Sequence, residues 1–179
     1  MRHVGPDDAA LSEKKGPLEM RESGIYCSIM VLNSVMERAG NRKLENHALT
    51  IPQWLALGAV LHAGEAGLSH GQLGQRMMLS KAPVTGLVDR MVRAGLVKRK
   101  ADKTDRRVSR VSITPEGRER WNRAHETLTS SAKVDLEKCM DQEQQEQLLR
   151  LLSHLLSSFA EQDPQVAELV AGAAGESSD

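Results

Sequence analysis

The sequence predicts a mainly α-helical chain with one small β-hairpin, and three observations carry that expectation. Apolar residues recur at helical spacing through most of the chain. Segment after segment opens with a Ser, Thr or Asp followed by Pro or Gln, the chemistry of a helix start. One mid-chain stretch, 96–113, instead alternates apolar and polar residues around a charged centre. Aromatic residues are 2% of the chain, so the core must be built from Leu, Val, Met, Ala and Ile, which pack well between helices. A length of 179 residues suffices for one domain with a real core.

Residues 1–20 are polar and punctuated by Gly5-Pro6 and Gly16-Pro17, and are expected to form a flexible arm. From Tyr26 to Asn46, Tyr26, Ile29, Met30, Leu32, Val35, Met36, Ala39 and Leu44 fall at helical spacing, which predicts one amphipathic helix. Thr50-Ile51-Pro52-Gln53 opens a second helix: Thr50 and Gln53 can cap each other's backbone, and Pro52 sits where its missing N–H costs nothing. That helix reaches about His62, and Gly64 and Gly67 break it. Ser69 and Gln72 repeat the capping box before a short helix with Leu73 and Met77 inward. Ser80 is expected to cap the next helix, with Pro83 tolerated in its first turn. Val84, Leu87, Val88 and Met91 form one buried stripe there. Lys81, Thr85, Gly86, Asp89, Arg90 and Arg93 lie opposite, and Gly95 ends the helix.

Leu96–Lys100 and Val108–Ile113 read as two strands joined by the charged loop 101–107, a hairpin. Thr114-Pro115 opens a long helix to about Cys139. Asp141 opens another, with Leu148, Leu149, Leu151, Leu152, Leu155, Leu156 and Phe159 as a wide apolar face. Residues 163–179, from near Pro164 onward, are expected to be a flexible tail.

Net charge is zero but unevenly spread. Between Lys81 and Arg118 eleven basic residues face four acidic ones, a surplus of seven, balanced by the rest of the chain. A compact positive block in a neutral protein is an electrostatic footprint for phosphates. Cys27 and Cys139 form no Cys-x-x-Cys pair or disulfide framework, and the six histidines show no paired metal spacing, so no metal or cofactor is expected. There is no run of 18 apolar residues and no apolar signal region in the first 25, so a cytoplasmic location is expected. A Gly-rich phosphate loop, paired carboxylates and a Ser/His/Asp signature are all missing, so no enzyme is expected.

Two helices separated by a turn and followed by a hairpin make a helix-turn-helix with a wing. Such a unit lays its second helix in the major groove, where each base pair shows a distinct edge pattern. Thr85 and Arg90 can bond bases or phosphates, Ser80 and Lys81 sit at the helix start, and Gly86 lets backbone come close. Lys103, Arg106 and Arg107 at the wing tip can reach a neighbouring minor groove, with Asp102 and Asp105 beside the two arginines to orient them.

The run Leu73–Gly117, centred on Leu-Ser-Lys-Ala-Pro-Val-Thr-Gly-Leu-Val-Asp-Arg-Met, resembles the recognition helix and wing of MarR-type regulators. The wing Asp102-Lys103-Thr104-Asp105-Arg106-Arg107 is similar to that family's Asp-x-x-Asp-Arg-Arg pattern, and the segments Leu49–Trp54 and Thr114–Arg118 also resemble the family. The resemblance runs from about Tyr26 to Phe159. It implies a winged helix-turn-helix at about 50–117 within a domain spanning 21–162. It also implies a homodimer formed by helices at about 21–47 and 115–162, and a pseudo-palindromic double-stranded DNA operator. Similar proteins usually repress, and release DNA when a small, often aromatic or phenolic ligand enters a cleft. Met30, Asn33, Trp54 and His62 are the effector-pocket candidates here. Pro83 stands where relatives often carry Ser or Thr, which removes a donor and shifts base reading to Thr85 and Lys81.

Two alternatives stay open at this point. Cys27 lies near where one branch of that family carries a peroxide-sensing cysteine, although Tyr26 is the sole tyrosine available to orient the thiol. A winged helix can also dock protein instead of DNA, but such a role has no need of so many cations.

Overall fold

The computed structural model describes residues 21–102, 108–164, 166, 167 and 170. The expected arm at 1–20, the wing tip at 103–107 and the last nine residues lie outside them. Helix α1 spans Arg21–Leu44, beginning five residues before the apolar pattern does. A single 3₁₀ turn, Glu45–His47, leads to α2, Ile51–His62. Strand β1, Leu68–Ser69, runs directly into α3, His70–Arg76, and α4 spans Lys81–Arg93. Strands β2, Val97–Ala101, and β3, Ser109–Ile113, precede the long helices α5, Pro115–Glu137, and α6, Gln142–Ala160.

The caps are the chemistry the sequence spells out. Thr50 with Gln53, Ser69 with Gln72 and Asp141 with Gln144 each form a complete capping box. Thr114 accepts from the Gly117 backbone N–H at 3.0 Å. Ser80 departs from expectation: it occupies the N-cap position of α4, but its hydroxyl makes no capping hydrogen bond. Gly64, Gly67 and Gly95 all take positive φ, as their positions as helix breakers require.

The hairpin is the larger part of a three-stranded antiparallel sheet, in the order β1-β3-β2. Two residues, Leu68 and Ser69, pair with Val111 and Arg110 and close the sheet onto the segment that starts α3. This short strand is invisible in the sequence pattern, since two residues carry no period. In β3 both Val111 and Ser112 are buried, so the simple alternation expected there is broken.

The core is one cluster of sixteen buried apolar residues running from Leu44 to Ala124. Val84, Leu87, Val88 and Met91 are at most 2% exposed, so the stripe on α4 packs as its spacing predicts. The described residues divide into two compact units, with the boundary between Ala39 and Gly40. Within the first, α1 shows Ile25, Tyr26, Met30, Val31, Val35 and Met36 to solvent. Within the second, α6 has no buried residue and exposes Leu149, Leu151 and Phe159. No helix among the described residues is long and apolar enough to cross a membrane.

Candidate nucleic-acid interface

The buried stripe of α4 fixes what its other side presents. Pro83, Thr85, Arg90 and Arg93 are exposed and Gly86 is half-buried. A Cβ at Gly86 would stand 3.6 Å from Arg90 Nη1, so the guanidinium of Arg90 lies across the space the glycine leaves. Asp89, on the same helix, accepts from Arg99 Nη2 of β2 at 2.5 Å, which ties α4 to the wing. Lys98 and Lys100 stay exposed on β2. The result is one surface of exposed cations and small polar groups backed by a buried apolar stripe.

The base of the wing is closed twice. The Asp102 N–H donates to the Val108 carbonyl at 2.9 Å. The Asp102 carboxylate, almost fully buried, accepts from Arg110 Nε, and Arg110 Nη1 donates to the Gly67 carbonyl at 3.4 Å. Asp102 thus holds the hairpin stem to the Gly67 loop, a role the sequence pattern does not announce; Arg106 and Arg107, which it is also expected to orient, lie outside the described residues. Lys103, Arg106, Arg107 and the Lys81 side chain lie outside the described residues. Pro83, Thr85, Gly86 and Arg90 lie outside the buried stripe of α4, spread from the first turn after its N-cap residue Ser80 to Arg90 in its last turn.

Trp54 and His62 of α2 join a ring cluster with Trp121 and His125 of α5. The Trp121 and His125 centroids are 4.7 Å apart and nearly parallel, Trp54 stacks on both, and His62 meets Trp121 edge-on at 5.9 Å. Gly58 makes the approach possible, since its Cβ would sit 3.1 Å from Trp121 Nε1, which donates to the Trp54 carbonyl at 3.1 Å. Trp54 Nε1 and His125 Nδ1 are buried with no hydrogen-bond partner. Sequence reading missed Trp121 and His125, whose spacing of four on α5 puts them on one face. Met30 and Asn33 are exposed on α1. Cys27 is half-buried and Cys139 exposed. The described residues hold no group of three His, Cys, Asp or Glu able to bind a metal.

Comparison with known proteins agrees with this geometry. The MarR family model matches residues 48–108, from just before α2 to the end of the wing tip. The transcriptional activatory protein BadR of Rhodopseudomonas palustris is 38% identical over 121 residues, covering 67% of this chain and 66% of that protein. The homoprotocatechuate degradative operon repressor of Escherichia coli is 30% identical over 114 residues, covering 64% of this chain and 75% of the repressor. Among solved structures, a mutant MarR from E. coli complexed with operator DNA superposes with a TM-score of 0.67 at 22% identity, over 74% of this chain and 94% of that one. That last likeness is one of fold. With the winged helix, its cationic face and these relatives together, the chain belongs to the MarR family of transcriptional regulators.

Proposed function

We propose that the chain is a homodimeric regulator that binds a pseudo-palindromic site on double-stranded DNA and is a repressor released by a small aromatic or phenolic ligand. The observation that carries the DNA reading is the outer face of α4, where Thr85, Arg90 and Pro83 are presented from a helix whose inner stripe is buried in the core. Ser80, Lys81, Pro83, Thr85, Gly86 and Arg90 would enter the major groove, with Lys103, Arg106 and Arg107 on the adjacent minor groove or its phosphates. The exposed apolar residues of α1 and α6 supply the surface for a second copy, within the segments 21–47 and 115–162. Repression follows the named role of the E. coli relative. A flat ring suits the stacked cluster around Trp54 and His62, and Met30 and Asn33 are the contacts proposed on α1.

Selection of bound sequences from a random duplex pool at about 150 mM salt, where nonspecific binding is weak, tests the reading. It is supported by an enriched inverted repeat with half-sites about ten base pairs apart, one helical turn. Salt-insensitive binding, or none, overturns it. Thr85→Ala is expected to change the enriched bases more than the overall affinity. Both tryptophans of the chain lie in the ring cluster, so quenching of intrinsic emission by aromatic acids and phenols reports the effector directly. A panel that quenches nothing and leaves DNA binding unchanged refutes the effector class.

A further inference from the structure

We infer that Met78, in the turn between α3 and α4, is a specificity-determining residue that reads the 5-methyl group of a thymine beside the bases met by α4; this rests on the DNA-binding reading above. Met78 has φ 51°, in the left-handed region. A side chain is unfavourable there and glycine is at ease. The turn has no freedom to relax. The Leu79 N–H donates to the Gly74 carbonyl at 2.9 Å, and the Met78 N–H to the Gln75 carbonyl at 3.1 Å. Gly74 itself is so close that a Cβ would stand 2.8 Å from the Leu79 carbonyl oxygen. A strained position that keeps a long apolar side chain, and keeps it 55% exposed, points to a contact outside the folded chain.

The surroundings say what that contact is. Met78 and the half-exposed Leu79 border a groove of about 660 Å³ that Gly71 and Gly74 also line and that ends at Ser80. Ser80 is the N-cap residue of α4, so the groove ends where that helix begins. No acidic side chain lines it, and the neighbouring surface of α4 and β2 is cationic, so a polyanion can approach. Within the major groove, thymine is the base that presents a methyl group, and an apolar side chain is the group that reads it. Met, flexible and polarisable, suits a contact made without rigid shape.

The test uses the duplex selected above, with each thymine replaced in turn by deoxyuridine, against the wild-type chain, Met78→Gly and Met78→Asn. Both replacements suit a positive φ, so both variants are expected to melt no lower than wild type. Wild type is expected to lose about fourfold in affinity at one thymine per half-site, the worth of one buried methyl group. Both variants are expected to bind the thymine and uracil duplexes equally. An equal loss in all three proteins, or no loss in any while DNA binding is intact, overturns the assignment of Met78 and leaves the DNA reading standing. Failure of all three to bind any duplex overturns the DNA reading instead.

Discussion

The pair Asp102–Arg110 offers the sharpest test of how the wing is held. The Asp102 side chain is 9% exposed and that of Arg110 32%. Removing one partner of a fully buried pair costs about 3–5 kcal/mol, and an exposed pair is worth about 0.2–1 kcal/mol. With one partner buried and the other a third exposed, Asp102→Ala is expected to cost about 2 kcal/mol, between those limits. Because Asp102 has further interactions, the single variant overstates the pair. The cycle of Asp102→Ala, Arg110→Ala and the double variant isolates it, with an expected coupling of about 1–2 kcal/mol. Urea unfolding at one fixed protomer concentration reads the stability. Both single variants should weaken DNA binding together, because each frees the same hairpin stem. Coupling below about 0.5 kcal/mol would refute the stem-clamp role, since pairs in contact normally exceed it. So would a loss of about one in the salt slope for Arg110→Ala alone, which would make Arg110 a phosphate contact.

Three further outcomes are expected. Gly117→Ala should lower stability by about 3 kcal/mol in urea unfolding, the upper range for forced overpacking, because the new Cβ would stand 2.0 Å from the Leu96 carbonyl oxygen. Asp135 is held below its ordinary value of 3.8 by the Lys43 ammonium, which donates to it at 2.5 Å. A carboxyl lowered in the folded state adds stability above its unfolded value that is lost as the pH falls through the lowered one, so Asp135→Asn should be less stable at neutral pH and indistinguishable from wild type at the acid end of a pH series of melts. Leu149→Glu places a charge on the exposed apolar face of α6 and should yield monomers in sedimentation velocity, with helical content inside 44–124 retained.

Most of the helices were legible because their starts are written in short-range chemistry. A Thr three residues before a Gln, or before Pro-Glu-Gly, commits the backbone whatever lies elsewhere. The stripe of α4 was legible for the same reason, as spacing alone sets it. What escaped depends on partners distant in sequence. Strand β1 exists because Val111 and Arg110 are there to pair with it. The ring cluster needs Gly58 to admit Trp121, 63 positions later. The left-handed turn at Met78 is imposed by Gly74 and Leu79, and nothing about Met announces it. The start of α1 was read late because Arg21-Glu22-Ser23 is helix-compatible yet carries no apolar period.

The placement of the core divides the work of the chain. Every residue of the buried cluster lies between Leu44 and Ala124, so the module that holds α4 and the wing is packed within one polypeptide. Helix α6 buries nothing, and a helix of 19 residues with exposed leucines gains little stability from its own hydrogen bonds in water. In the proposed dimer the second copy covers that apolar face and stabilises the helix. On the proposed function, the face that chooses bases is set by intrachain packing, and the distance between two such faces by association of helices. A change in α4 should alter which bases are preferred at constant half-site spacing. A change on α6 should alter spacing tolerance and concentration dependence at constant base preference. The two properties reside in separate residues because they rest on separate apolar surfaces.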